Sequence, residues 1–130
     1  MTQTWSPRRV AILGASGLTG AGLAHQLSLS DDYDEILLFD LKENVLQAHA
    51  IDMREAQIVT GHTRARLTVV PLDRAAEHGE VDLVVFAASL PETQDGTRDA
   101  FLQGHLGVLD AGRPSLTAPP RAHGRAMCGT

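Results

Sequence analysis

Three glycines near the amino terminus form the first pattern in this sequence with a chemical meaning. Gly14, Gly17 and Gly20 follow an apolar run at 10–13 with the spacing G-x-x-G-x-x-G, a variant of the commoner G-x-G-x-x-G. Gly14 lets the chain turn off a strand, Gly17 leaves the backbone bare for a pyrophosphate, and Gly20 lets a helix pack closely. The first N–H groups of such a helix lack partners and its dipole is positive there, so the pattern predicts an anion site.

An acidic residue follows where a dinucleotide would need one. Asp40 follows the apolar residues 36–39 at the end of the predicted second strand, about 20 residues after Gly20. A carboxylate there accepts hydrogen bonds from ribose hydroxyls and repels a 2′-phosphate, so the pattern predicts NAD rather than NADP. The alternative is that the glycines form only a turn and that Asp40 only caps the next helix.

Alternating strands and helices must position these residues. Right-handed crossovers between such elements produce a parallel sheet, so we predict an α/β fold of Rossmann type with flanking helices. About four strands are expected in the order 3-2-1-4. The predicted strands span 10–13, 35–40, 66–70 and 81–88, and the predicted helices span 18–30, 41–59, 73–78 and 98–109, with Gly61 as the C-cap of the second helix.

Composition excludes several classes of protein. A formal net charge of −5 gives no general attraction to nucleic acid or to an anionic membrane. No apolar run reaches the ~20 residues of a membrane span, and no signal-peptide core is present. Cys128 is the single cysteine, which leaves no intrachain disulfide and favours a cytoplasmic location. The histidines have no metal-ligand spacing, so no metal site is predicted.

Residues 8 to about 110 resemble the N-terminal, NAD-binding half of the L-lactate/L-malate dehydrogenase family. The resemblance rests on the glycine-rich stretch 10–20, the strand ending in Asp40, AHAIDMREA at 48–56, and VDLVVFAASLPETQDGTR at 81–98. It implies an enzyme that transfers a hydride between NAD and C2 of a small 2-hydroxy or 2-keto acid.

The resemblance also implies roles for single residues. Arg98 matches the arginine that polarises the substrate carbonyl. Glu92, six residues earlier, lies where relatives select the substrate side chain and usually carry Arg or Gln, so it disfavours a dicarboxylate such as oxaloacetate. His105 stands where the family usually has Asn. The full predicted cofactor-binding set is Gly14, Ser16, Gly17, Leu18, Thr19, Gly20, Asp40, Ala87, Ala88 and Ser89.

The end of the chain departs from the family pattern. We predict an NAD-binding domain over 1–110 and an irregular tail over 111–130, because the tail is rich in Pro, Gly and Arg and lacks apolar periodicity. The tail stands where the family has its fifth strand. The catalytic His, its Asp partner and the carboxylate-binding Arg of the family's substrate half do not occur. A truncated or frameshifted product, inactive alone, is therefore expected.

Two other functions remain open at this level. An extended short-chain reductase or epimerase would share the glycine turn but needs a Tyr-x-x-x-Lys pair, and Tyr33 is followed by Leu37 at that offset. A non-catalytic nucleotide-binding module is the second. The apolar stripe of the 41–59 helix also continues beyond what one sheet face needs, which allows a homo-oligomer.

Overall fold

A parallel sheet forms the centre of the molecule. The computed structural model describes residues 7–88 and the backbone of 125–128. The described strands are β1 (Arg9–Leu13), β2 (Glu35–Phe39), β3 (Arg66–Val69), β4 (Leu83–Phe86) and β5 (Arg125–Cys128), in the order β3-β2-β1-β4-β5. The helices are α1 (Leu18–Leu29), α2 (Glu43–Thr60) and a 3₁₀ helix (Leu72–His78). The predicted order 3-2-1-4 is confirmed, and a fifth strand extends it.

Both faces of the sheet are buried. All five residues of β2 are buried, as the unbroken apolar runs predict for a sheet covered on both sides. Alternate side chains point to opposite faces, which divides the core in two. One face packs against α1 and α2, through Val10, Ile12, Ile36, Leu38, Ala24, Leu46, Ala50 and Met53. The other face, to which β4 contributes side chains, packs against the 3₁₀ helix, through Ala11, Leu13, Leu37, Phe39, Ala75, Val84 and Phe86.

The prediction that 111–130 form no regular element is wrong for Arg125–Cys128. These residues pair in parallel with β4, in a register that runs from Leu83↔Arg125 to Phe86↔Cys128. β4 is therefore not the unpaired edge that loss of a fifth strand would leave. The backbone ladder of β4, rather than any periodicity in the tail, provides the pairing, and no proline lies within 125–128 to interrupt it. The boundary at 110 stays a prediction, and the predicted helix at 98–109 lies outside the described residues.

A buried glutamine connects the two helices on the first face to the sheet. Gln57 of α2 is 5% exposed, and its Nε2 donates to the carbonyls of Ser28 at 2.9 Å and Ala65 at 2.8 Å. It thereby links the end of α1 to the start of β3. Gly61 ends α2 with φ +78°, the left-handed conformation that the sequence predicts for this C-cap.

A charged network closes the amino ends of the strands. The Glu35 carboxylate accepts hydrogen bonds from Arg9 Nε at 2.8 Å, Arg66 Nη2 at 3.0 Å and Thr68 Oγ1 at 3.2 Å. Burial acts to raise the pKa of Glu35, but the hydrogen bonds from the two guanidinium groups outweigh it, and the pKa is lowered.

Within the described part of the chain, no helix combines the length and apolar character that a membrane span requires.

Candidate dinucleotide site

The glycine-rich turn begins with a residue that must be glycine. Gly14 has φ +84°, and a Cβ there would lie 2.4 Å from the backbone nitrogen of Ala88. Its N–H donates to the carbonyl of Phe39 at 2.9 Å, and the Ala15 N–H donates to the same oxygen at 3.1 Å. The end of β2 therefore holds the turn from one side while the end of β4 approaches it from the other.

The close approach expected at Gly20 is made to the turn rather than to β1. A Cβ on Gly20 would lie 2.0 Å from the carbonyl oxygen of Gly14, which no side chain tolerates. Gly17 differs, because its Cβ would meet the same oxygen at 3.4 Å, an ordinary contact. The fold itself thus does not require glycine at 17, which fits a position kept bare for a ligand.

The start of α1 offers unpaired backbone donors. Gly17 is the N-cap and provides no side-chain cap, and the first turn carries no acidic residue. In residues 7–88, no carbonyl or side chain accepts from the N–H groups of Leu18 and Thr19, and the Leu18 side chain is 96% exposed. Free N–H groups and the positive end of the helix dipole together favour an anion at this position.

Asp40 follows β2 and is held beside the turn. Its Oδ2 accepts from the Ser16 N–H at 3.1 Å and its Oδ1 from the Lys42 N–H at 3.2 Å. Burial acts to raise the pKa of Asp40, but the hydrogen bonds from Ser16 and Lys42 outweigh it and the pKa is lowered. The Ser16 side chain and the Leu41 backbone also hydrogen-bond to this carboxylate, which keeps it ionised beside the turn.

The helix-cap alternative for Asp40 is not what the structure contains. The N-cap of α2 is Lys42, and no side chain caps that helix. Asp40 instead binds the N–H of the N-cap residue, a local turn that precedes the helix.

Most of the predicted cofactor residues meet at the carboxyl edge of the sheet. Ala87 is joined to β1 by its N–H, which donates to Leu13 O at 2.8 Å, and Ala88 borders Gly14. The residues found around the turn are Gly14, Ser16, Gly17, Leu18, Thr19, Gly20, Asp40, Ala87 and Ala88. Ser89, Glu92, Arg98 and His105 lie outside the described residues.

Sequence reasoning missed the carbonyl of Phe39, which receives two N–H groups of the turn. The signal was available, since the last residue of β2 is adjacent to the last residue of β1 in a parallel pair.

Tyr33, the tyrosine a short-chain reductase would need, instead packs against the core beside α1. Among the described residues, no group of His, Cys, Asp and Glu could hold a metal ion.

Comparisons with known proteins agree with this geometry. Residues 8–119 match the family model for the NAD binding domain of lactate/malate dehydrogenase, a match that runs past the predicted boundary at 110. The malate dehydrogenase of Caulobacter sp. (strain K31) is 30% identical over 103 residues, covering 79% of this chain. The L-lactate dehydrogenase A of Rhizopus oryzae is 29% identical over 103 residues, again covering 79% of this chain.

Solved structures show the same fold. The lactate dehydrogenase of Cryptosporidium parvum, complexed with lactic acid and nicotinamide adenine dinucleotide, aligns with a TM-score of 0.78 at 21% identity over 96% of this chain. The apo malate dehydrogenase of Picrophilus torridus aligns with a TM-score of 0.80 at 19% identity over 95%. The chain spans about a third of its relatives' length, 31% and 30% of the two curated sequences and 38% of each solved chain.

Gly20 and Gly22 of α1 form a matched pair for testing the turn. Gly20→Ala should lower the free energy of unfolding by about 1–3 kcal/mol through overpacking, and should weaken NADH binding at least about tenfold because the turn must move. Gly22→Ala meets nothing within 4 Å and should stabilise the helix by about 0.5–1 kcal/mol with NADH affinity unchanged. Thermal denaturation and calorimetric titration measure both quantities. Equal behaviour of the two variants would contradict the assigned contact.

Proposed function

Because this chain belongs to the lactate/malate dehydrogenase family and carries its NAD-binding domain, we propose that the turn at 14–20 binds the pyrophosphate of NAD and that Asp40 binds the adenosine ribose. One observation carries this assignment. The Asp40 carboxylate accepts from the Ser16 N–H, beside a helix start whose N–H groups have no partner in the described part of the chain. The carboxylate that would bind the ribose and the helix start that would bind the pyrophosphate are thus adjacent.

The reaction we propose for the complete site is hydride transfer between the nicotinamide and C2 of a small 2-hydroxy or 2-keto acid. NAD supplies the hydride acceptor or donor when it is bound. In this chain, Arg98 would polarise the substrate carbonyl and Glu92 would disfavour a second carboxylate on the substrate, as the family pattern implies. Gly14 and Gly20 would keep the turn close to the sheet, so that Ala87, Ala88 and Ser89 border the cofactor.

Cofactor choice provides the first test. NADH should bind at least about tenfold more tightly than NADPH, because the ionised Asp40 accepts ribose hydroxyls and repels a 2′-phosphate. Asp40→Ala should weaken NADH binding about tenfold and reduce the preference for NADH over NADPH. Asp73→Ala, at an exposed acid of the 3₁₀ helix, is the matched control. Calorimetric titration with both cofactors decides the point, and equal or tighter NADPH binding by the unmodified chain would remove Asp40 from its role.

Turnover provides the second test. The 130-residue chain alone should not oxidise NADH measurably with pyruvate, oxaloacetate or longer 2-keto acids. Hydride transfer to a ketone needs a proton donor and an oriented substrate as well as a bound cofactor. The sequence carries no counterpart of the family's His–Asp donor pair, and loss of a proton donor alone costs about 10²–10⁴-fold.

The assay follows absorbance of NADH, with Arg98→Ala as the control. NADH binding without turnover would agree with the proposal and also with a non-catalytic nucleotide-binding module. Turnover that depends on Arg98 would mean that unrecognised residues or a partner chain complete the site. The prediction that this chain is inactive alone would then be wrong.

We also propose that the outer side of α2 pairs with a second copy of the chain. Ile51 and Ile58 lie seven residues apart on one side of the helix, and they are 53% and 72% exposed. Val59 beside them is 86% exposed. Apolar side chains gathered on one exposed helix face are typical of protein interfaces.

A cytoplasmic location stays a prediction, based on the single cysteine.

Sedimentation velocity tests the pairing. The unmodified chain should sediment as a dimer that dissociates on dilution, and Ile58→Glu should shift the midpoint of dissociation at least about tenfold in concentration, since a charge cannot enter an apolar interface without cost. Thr63→Glu, at an exposed residue just beyond the helix, should leave the dimer intact. A monomer at all concentrations, or equal effects of the two substitutions, would exclude this interface.

A further inference from the structure

A groove of about 660 Å³ runs along the edge strand β3 and shares no residue with the candidate dinucleotide site. Residues of β3 itself, Arg66 to Val69, form its floor. Arg54 of α2 borders it on one face of the sheet, and Arg9 with Glu35 borders it on the other. The groove therefore wraps around a strand edge instead of lying between two packed elements.

The backbone in this groove has unused hydrogen-bonding groups. The N–H groups of Arg66 and Val70 donate to Asp34 O and Leu38 O of the β2 side, at 2.8 and 2.9 Å. In a parallel ladder the N–H groups alternate in direction, so those of Leu67 and Val69 point away from β2. No acceptor for either occurs in the described part of the chain. An edge with free donors is a template for another strand.

The groove also carries an excess of positive charge. Arg9 and Arg66 share the single negative charge of Glu35, at 2.8 and 3.0 Å. The Arg66 side chain remains 77% exposed. The positive charge of the groove thus contrasts with the formal net charge of −5 of the whole chain.

Arg54 adds a second available cation. Its Nη2 donates to the Leu67 carbonyl at 2.8 Å, which holds the guanidinium at the strand edge. No described carboxylate pairs with it. The other acid at the groove, Glu77, is bound by Arg74 at 3.1 Å. A ligand with carboxylates thus meets two guanidinium groups that can still donate.

We propose that this groove binds an extended acidic peptide segment of a partner protein, which adds to β3 as a further strand. The free N–H groups of Leu67 and Val69 would donate to the carbonyls of the peptide. Arg66 lies on one face of the sheet, and Arg54 belongs to the helix that covers the other. Because successive side chains of a strand point to opposite faces, two adjacent glutamates reach both. Four residues of β3 match a peptide of about 13 Å at 3.3 Å per residue.

The test uses a fluorescein-labelled peptide, Val-Glu-Glu-Val-Glu, titrated with the 130-residue chain and followed by anisotropy. Binding should be saturable and should shift the amide NMR signals of Leu67 and Val69. The double variant Arg54→Gln/Arg66→Gln should weaken binding about tenfold or more, while Arg8→Gln, at an exposed arginine outside the groove, should not change it. NADH affinity, measured on each variant, should stay unchanged and verifies that the variants fold.

Two changes to the peptide make the proposal falsifiable without altering the protein. Replacing its glutamates by lysines should abolish binding. N-methylation of every peptide nitrogen keeps the charge but removes the donors of both strand edges, and it should also abolish binding. Equal binding of the N-methylated peptide would exclude strand addition, and equal binding of the lysine peptide would exclude charge recognition. No saturable binding at millimolar peptide, or shifts confined to the α2 face, would overturn the proposal.

Discussion

The candidate site depends on one steric constraint, the approach of three backbone segments to less than side-chain distance. A Cβ on Gly20 would lie 2.0 Å from Gly14 O, and a Cβ on Gly14 would lie 2.4 Å from Ala88 N. The turn, the start of α1 and the segment that follows β4 can therefore meet only because Gly14 and Gly20 lack a Cβ. A substitution at either glycine moves the helix start away from the sheet edge, and with it the N–H groups that favour an anion.

A site built in this way consists largely of backbone atoms. Phe39 contributes only its carbonyl, and Ser16 contributes its N–H to Asp40. Such groups are present whatever the side chain, so the geometry needs few fixed residues beyond the glycines and the acid. This explains why a glycine spacing and one acid suffice to predict the turn from the sequence. It also explains why the turn alone does not identify a substrate, which side chains elsewhere must select.

Sequence periodicity predicted the sheet order and the position of Asp40, because both follow from local patterns: apolar runs, glycine spacing and a terminal acid. It failed where the determinant is not local. Arg125–Cys128 join the sheet through the exposed backbone of β4, and their own residues carry no strand pattern. The bond from Ser16 to Asp40 joins residues 24 apart in sequence and needs the parallel pairing of β1 and β2 to bring them together. Glu92 and Arg98, inferred from resemblance alone, lie outside the described residues and stay predictions.

The two ends of the sheet use charge in opposite ways. At the carboxyl end neutral backbone N–H groups bind the carboxylate of Asp40 and leave its charge uncompensated, whereas at the amino end the guanidinium groups of Arg9 and Arg66 bind both oxygens of Glu35. Because the pKa of Glu35 is lowered on folding, its stabilising contribution is full above the ordinary glutamate value of 4.5 and is lost as the pH falls below that value toward the folded-state pKa. Arg9 also donates to His78 O and Glu80 O at 2.6 and 2.8 Å, so this pair fixes the connection into β4. The strand that borders Gly14 at one end is thus positioned by an ion pair at the other.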